Sequence, residues 1–247
     1  MSELTQFWQE RFERYGHTGW FDAKIYAFDQ LCRLKRFGEW LDRQALAAAK
    51  ALDFGCGSGD FSRFLLNRGW QVTAYDRYVS PNQQHPRLTA TKSLPDVASN
   101  APYDLIVSVT VLDCIMDDAD FSATLARLRQ QLRPGGKFFF LEYAGDVPRA
   151  RSQYQGLRLY SDWQSELSKA GLVLNDVAPY FHPDEAPVSA WNSYNHMLPV
   201  RALARAHRHI GKSTYEKSLR PFAKMSMLMH PYKTPLKSPV KIMSGSC

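Results

Sequence analysis

A glycine-rich turn after a short apolar run is the part of this 247-residue sequence best suited to chemistry. Residues 51–59 read Ala-Leu-Asp-Phe-Gly-Cys-Gly-Ser-Gly, which predicts a buried strand that turns into a helix. Glycines let the backbone approach a ligand closely, and the free N–H groups of a helix start favour a carboxylate. Asp76 ends the next apolar run, where an acid can accept both hydroxyls of a ribose. The two features indicate a site for a nucleoside-containing ligand.

The spacing of the glycines excludes some ligands. The turn reads Gly-x-Gly-x-Gly and lacks the Gly-x-Gly-x-x-Gly spacing that suits a pyrophosphate, and no Gly-Lys-Ser/Thr follows it. The cysteines at 32, 56, 114 and 247 have no paired metal-ligand spacing. We therefore expect no metal site, and a reduced cytoplasmic protein is the simplest interpretation.

The elements that must position these residues alternate along residues 51–200. Apolar runs predict strands at 51–54, 71–75, 88–91, 105–109, 137–142 and 173–177, with a weaker signal at 189–198. Helical patterns lie near 61–68, 119–132 and 162–170. Strands that alternate with helices predict an α/β core with a Rossmann-like, doubly wound, mostly parallel sheet.

A helical lid is predicted before this core, in residues 1–50. Aromatic residues recur there at the spacing of one helix face, at Phe7, Trp8, Phe12 and Tyr15. Glycines at 16 and 19 break the pattern, and a second helix is expected from about residue 22 to residue 46.

A basic C-terminal extension is predicted after the core, in residues 201–247. It holds ten Lys and Arg against one acid, a net charge of +9, whereas the rest of the chain has 21 against 23, a net of −2. The overall charge of +7 therefore belongs to this tail. Prolines at 231, 235 and 239 predict no regular structure after His230.

Four stretches, in order, resemble motifs of the class I S-adenosylmethionine-dependent methyltransferases, and the resemblance covers roughly residues 48–180. Residues 53–59 are similar to the first motif of that family, and Tyr75-Asp76 to its ribose-binding acid. Residues 103–113 are similar to its fourth-strand motif and residues 132–137 to the turn into its fifth strand. The resemblance implies a methyltransferase that binds S-adenosylmethionine.

The resemblance also implies roles for individual residues. The turn at Asp53, Gly55, Cys56 and Gly57 would hold the methionine part of the cofactor. Asp76 would bind the ribose, with Arg77 beside the adenine edge. The methionine and sulfonium side would be lined by Ser108, Val109 and Thr110.

Methyl transfer needs an aligned acceptor and, for a neutral hydroxyl, a base. The candidate bases are His17, Asp113 and His182, and Tyr15 and Trp20 are candidates for shielding the substrate. No Asn/Asp-Pro-Pro-Tyr/Phe signature or cysteine pair of nucleic-acid methyltransferases is present. The fourth-strand motif most resembles that of small-molecule methyltransferases, which implies methylation of an oxygen on a small molecule or a sugar-bearing glycan. Two alternatives stay open: a methyltransferase of RNA or another nucleic acid, and a non-catalytic binding module with the cofactor fold.

The basic tail has three interpretations. It is a solvated extension that packs a helix on the body, or it attracts an anionic membrane surface and makes the protein peripheral to a membrane. The third is binding of a phosphate-rich carrier, with nucleic acid the less favoured partner because the body is slightly acidic.

Overall fold

A seven-stranded sheet with helices on both faces forms the core of the computed structural model. The structure describes residues 3–19, 23–78, 84–147, 154–180 and 240–247, and scattered positions between 202 and 221. The strands are β1 (Lys50–Phe54), β2 (Gln71–Tyr75), β3 (Leu88–Thr91), β4 (Tyr103–Val109), β5 (Leu132–Tyr143), β6 (Val173–Pro179) and β7 (Val240–Ser246). The helices are α1 (Glu3–Tyr15), α2 (Ala23–Gln44), α3 (Asp60–Asn67), α4 (Leu94–Ser99), α5 (Asp118–Gln131) and α6 (Tyr160–Lys169), with a 3₁₀ turn at Leu112–Cys114.

The strand order of the sheet is β3-β2-β1-β4-β5-β7-β6. Strands β1 to β5 are parallel, whereas β7 is antiparallel to both of its neighbours, β5 and β6. The order reverses at β1, which pairs with β2 on one side and with β4 on the other. A cleft outside the carboxyl ends of the strands is the usual ligand site at such a reversal. The predicted Rossmann-like, mostly parallel sheet is confirmed.

Two apolar layers hold the helices on the sheet. On one face α2 and α3 pack over the centre of the sheet, where the rings of Phe37 and Phe139 lie 4.9 Å apart. On the other face Phe121 of α5 and Trp163 of α6 pack edge to face at 4.8 Å. Burying an aromatic side chain stabilises the fold by roughly 1.5–3 kcal/mol, so these layers fix the strand ends that carry the site.

The C-terminal strand corrects one sequence prediction. We expected no regular structure after His230, yet Val240–Ser246 forms β7, and its residues 241–245 are buried. The prolines all precede this strand, so none of them interrupts its hydrogen bonding. Strand β7 therefore belongs to the core sheet, although its residues lie within the predicted tail.

Other expectations fall partly or wholly outside the described structure. The predicted strand at 189–198 lies outside the described residues, as do most positions of the basic tail. Within the described part of the chain, no helix combines the length and the apolar character needed to cross a bilayer.

Candidate active site

A cavity of about 480 Å³ lies at the carboxyl ends of the central strands, where the strand order reverses. Its wall includes most residues predicted to contact a cofactor: Asp53, Gly55, Cys56, Gly57, Asp76, Val109 and Thr110. The remaining wall comes from α1, α2 and the turn between them, from the start of α3, from Tyr78 after β2, from the 3₁₀ turn with the residue before it, and from the segment before α6. The fold thus brings residues from distant parts of the chain to one site.

The glycine turn is shaped by the strand beside it. The N–H groups of Gly55 and Cys56 both donate to the carbonyl oxygen of Tyr75, at 2.7 and 2.9 Å. Gly55 has φ +80°, and a Cβ atom there would lie 2.2 Å from Cγ2 of Val111. Only glycine fits this backbone and this contact, so the turn stays open toward the cavity.

Asp76 presents a fixed carboxylate beside this turn. Its Oδ2 accepts the N–H of Gly57 at 3.0 Å, and its Oδ1 accepts the N–H of Tyr78 at 2.8 Å. Each carboxylate oxygen can accept a second hydrogen bond, so both are able to take ribose hydroxyls. Arg77 does not line the cavity in the described structure, and its predicted place at the adenine edge stays a prediction.

Asp53 lies beneath the turn, almost fully buried. Its Oδ2 accepts the hydroxyl of Ser62 at 2.6 Å. The pKa of Asp53 is raised to about 7, chiefly by burial and also by the charges of Asp76 and Asp60, against the lowering effect of the Ser62 hydrogen bonds. Desolvation therefore dominates this carboxyl.

Helix α2 contacts the glycine turn and the start of α3 through a tyrosine. The Tyr26 hydroxyl donates to Oδ2 of Asp60 at 2.8 Å and lies 2.8 Å from Oγ of Ser58. His17 stacks on the Tyr26 ring, with centroids 3.6 Å apart, and is buried. Its neighbour Thr18 lines the cavity, but His17 itself does not. The assignment of His17 as a base stays a prediction that this packing does not support.

Of three other predicted residues, one does not line the cavity and two lie outside the described structure. Tyr15 is half-buried, with its ring 6.1 Å from the ring of His17, and does not line the wall. Trp20 and His182 lie outside the described residues, so their roles stay predictions.

A buried acid that sequence reasoning missed supports the end of β4. Glu142, on β5, accepts the hydroxyl of Ser108 at 2.8 Å and the N–H groups of Val111 and Asp113 at 3.0 and 3.2 Å. The Ser108 side chain therefore points to Glu142 and is not part of the cavity wall. Asp113 is also buried and off the wall. The one feature of the sequence that could have predicted a role for Glu142 is that an acid ends the apolar run of β5.

The two buried carboxyls influence each other. Burial raises the pKa of Glu142, and the charge of Asp113 raises it further. Burial also raises the pKa of Asp113, against the opposing effects of the Cys114 hydrogen bond and the Arg33 charge. Two adjacent buried carboxyls cannot both ionise readily, so the pair favours a state with one bound proton.

A second missed residue, Arg33, brings a cation to the cavity wall. Its Nε pairs with Oδ2 of Asp29 at 2.9 Å, and Nη1 donates to Oγ1 of Thr110 at 3.1 Å. The side chain is 14% exposed. A positive group among polar helix residues has no distinctive sequence pattern, so only the fold reveals this position.

Aromatic side chains of α1 and of the segment before α6 line another part of the cavity wall. Phe7 stacks on Tyr154, with ring centroids 3.7 Å apart, and Trp8 packs edge-on against both rings. We call Phe7, Trp8, Tyr78, Cys114 and Tyr154 the acceptor end, and the glycine turn with Asp53, Asp60 and Asp76 the cofactor end. The aromatic face predicted for the first helix thus supplies two members of the acceptor end.

The cofactor end fits S-adenosylmethionine chemically. Each oxygen of Asp76 accepts one backbone N–H and can accept a ribose hydroxyl as well, and the glycine turn has no side chain at the contact with Val111. The acids of the turn suit the ammonium group of methionine, and the Arg33 guanidinium suits its carboxylate. The sheet order, the turn and the facing acid define the class I S-adenosylmethionine-dependent methyltransferases.

Comparison with known proteins agrees with this class. Residues 8–184 match the model of a family described as methyltransferase domain. The chain belongs to this family, and it is an S-adenosylmethionine-dependent methyltransferase.

Curated relatives are similar over part of their length. The ubiquinone biosynthesis O-methyltransferase of Stutzerimonas stutzeri (strain A1501) is 26% identical over 166 residues, 62% of this chain and 66% of the relative. That of Pseudomonas syringae pv. tomato is 30% identical over 115 residues, 41% of this chain and 47% of the relative. The chain thus spans between about half and two thirds of these relatives.

Solved structures share the fold. A Haemonchus contortus phosphoethanolamine N-methyltransferase 2 aligns with a TM-score of 0.57 and 14% identity, over 97% of this chain and 60% of the other. A Burkholderia thailandensis 1,6-didemethyltoxoflavin-N1-methyltransferase aligns with a TM-score of 0.53 and 19% identity, over 70% and 78%. At such identities the likeness concerns the fold alone.

Proposed function

We propose that this methyltransferase transfers a methyl group to a hydroxyl oxygen of a small aromatic molecule. The observation that carries the proposal is the acceptor end, where the rings of Phe7, Trp8 and Tyr154 pack together in the wall of the same cavity that Val109 of β4 lines. Flat aromatic surfaces favour stacked or edge-on aromatic ligands. The relatives named ubiquinone biosynthesis O-methyltransferase support oxygen as the acceptor atom.

Different residues of the site would bind the cofactor, orient the acceptor and exclude water. S-adenosylmethionine, when bound, supplies a methyl group on a good leaving group. Asp76, the glycine turn and Arg33 would hold the cofactor, and the aromatic rings would orient the acceptor. Val109 and Val111 would exclude water between the two ends. Such positioning in a dry site is the main contribution expected of a protein to a displacement reaction.

Methyl transfer to simple phenols tests the proposal. The full chain is incubated with S-adenosylmethionine and catechol, 4-nitrocatechol or a primary amine, and the product is identified by mass spectrometry. We expect O-methylated phenols. Methylation of the amine alone, or of no phenol, would contradict the proposal.

Phe7→Ala separates the acceptor end from the cofactor end. We expect KM for catechol to rise about tenfold, the value of one lost aromatic contact, with the Kd for S-adenosylhomocysteine nearly unchanged. Asp76→Asn should do the reverse and weaken S-adenosylhomocysteine, because a charged acceptor is lost. Val147→Ala, at an exposed apolar residue away from the cavity wall, is the matched control.

A further inference from the structure

Transfer to a neutral hydroxyl leaves a proton that some group must accept. Asp53, Asp60 and Asp76 belong to the cofactor end, where they accept hydrogen bonds from Ser62, Tyr26 and Gly57, respectively, and where Asp76 is assigned to the ribose hydroxyls. No histidine among the described residues lines the cavity. The acceptor end therefore needs a proton acceptor of its own.

Cys114 connects the acceptor end with a buried acid. The cysteine lines the cavity, and its Sγ lies 3.5 Å from Oδ1 of Asp113 and 3.7 Å from the carbonyl oxygen of Thr110. The carboxylate is the closer and stronger acceptor for the single thiol proton. The side chain of Cys114 therefore links the cavity to the buried carboxylate of Asp113.

We propose that Cys114 and Asp113 form a proton relay for the methyl acceptor, with Glu142 as the positioning residue behind them. The proposal rests on the proposed O-methylation. As the acceptor oxygen bonds to the methyl carbon, its O–H proton moves to Sγ of Cys114, and the thiol proton moves to Oδ1 of Asp113. The O–H electron pair stays on the acceptor oxygen, and the pair of the broken carbon–sulfur bond stays on the leaving sulfur. Cys114 is neutral before and after the step.

The surroundings of Asp113 suit a proton acceptor. It faces Cys114 on its own turn, Glu142 on β5, Arg33 on α2 and Arg158 before α6. A carboxyl whose pKa is raised by burial is a stronger base than an exposed one. Burial and the Asp113 charge also raise the pKa of Cys114, which keeps the thiol protonated for donation.

Glu142 holds the relay in place. It receives the backbone N–H groups on both sides of Leu112 and thereby fixes the turn that carries Asp113 and Cys114. Thr110, two residues before this turn, has φ +53°, which a residue with a side chain adopts only when its neighbours hold it. The turn therefore depends on Glu142 for its orientation.

Two acceptors that differ in acidity test the relay. Catechol is largely protonated at pH 7.5, whereas the hydroxyl para to the nitro group of 4-nitrocatechol is largely ionised, so that methylation at this oxygen needs no base. Cys114→Ala should lower kcat for catechol about a hundredfold and change kcat for 4-nitrocatechol less than about threefold. Cys114→Ser should retain most activity, because a hydroxyl can pass the proton. Cys247→Ser, at a thiol outside the cavity wall, is the matched control.

The pH profile gives a second readout. The catechol defect of Cys114→Ala should shrink as the pH rises and catechol ionises in solution. Equal losses on both phenols, or a Cys114→Ala variant as active as wild type on catechol, would overturn the relay.

A measurement made without a methyl acceptor distinguishes a failure of the relay from a failure of the proposed function. The S–H infrared band of Cys114 is identified as the band that is lost in the Cys114→Ser variant. In Asp113→Asn it should move to higher frequency, because the hydrogen bond weakens. If wild type methylates no phenol, the proposed function fails, and this band decides the relay: an unmoved band overturns it, and a shifted band supports it.

Discussion

The acids at the strand ends differ in how well the sequence alone predicts their roles. Asp53 lies in the apolar run that leads into the glycine turn and Asp76 follows the next apolar run, so their positions were predictable from the sequence. Glu142 also ends an apolar run, but it has no neighbouring motif. Its role depends on Ser108 and Val111, residues more than thirty positions earlier in the chain. Only the pairing of β4 with β5 brings these groups together.

The pKa of Asp53 predicts a pH dependence of stability. Its folded-state pKa of about 7 lies above the ordinary value of 3.8. Between these values the native state binds more protons than the unfolded state, so the free energy of unfolding falls as the pH rises. Asp53→Asn has no such titration. The free energy of unfolding of the variant, relative to that of wild type, should therefore rise by up to roughly 4 kcal/mol from pH 4 to pH 8.

Urea denaturation at pH 4, 5, 6, 7 and 8 measures this effect. The relevant quantity is the difference between wild type and Asp53→Asn, since other buried carboxyls also titrate. Asp176→Asn, at an exposed carboxylate on β6, is the control. Parallel pH curves for wild type and Asp53→Asn would contradict the prediction.

Contacts between elements decide the shape of the site. The glycine turn follows β1, and Val111 follows β4, which is parallel to β1. Each element was predicted from its own pattern, but their contact at Gly55 was not. It depends on the register that pairs Phe54 with Ser108 and thus brings the two strand ends level.

Gly55→Ala tests this contact. The new Cβ would meet Val111 in a backbone of positive φ, and we expect a loss of about 3 kcal/mol in the free energy of unfolding, with weaker S-adenosylhomocysteine binding. Gly135→Ala is a close control, because Gly135 has φ +73° but nothing within 4 Å of the added Cβ. It should lose only about 1 kcal/mol.

A double variant separates the clash from the backbone strain. Val111→Ala in the Gly55→Ala background makes room for the added methyl group and should recover part of the stability. Equal losses for Gly55→Ala and Gly135→Ala, or no recovery in the double variant, would show that Val111 does not restrict this turn.

At the scale of the whole molecule, the C-terminal strand completes the sheet. Strand β7 lies between β5 and β6 and pairs with both along most of its length. The indole Nε1 of Trp40 on α2 also donates to Oγ of Ser244, at 2.9 Å. The end of the chain is therefore part of the core that supports the cavity.

Removal of residues 240–247 should prevent cooperative folding. The truncation leaves two strands with unpaired edges and opens the apolar layer beside them, so we expect aggregation or the loss of a sharp thermal transition. A control variant changes Arg201, Arg205 and Arg208 to Gln, which lowers the positive charge of the basic tail but leaves β7 intact. A truncated chain with the thermal midpoint of wild type would contradict the prediction.

The sequence by itself determined the alternating α/β order, the glycine turn, Asp76 and the aromatic face of the first helix. These features depend on periodicity and spacing within short segments, where backbone geometry constrains the residue types. Only the tertiary structure decided the place of β7, the Glu142–Asp113 pair, the cation at Arg33 and the packing of His17 behind Tyr26. Each of these depends on contacts between elements, and buried polar groups gain their roles from partners that no local pattern specifies.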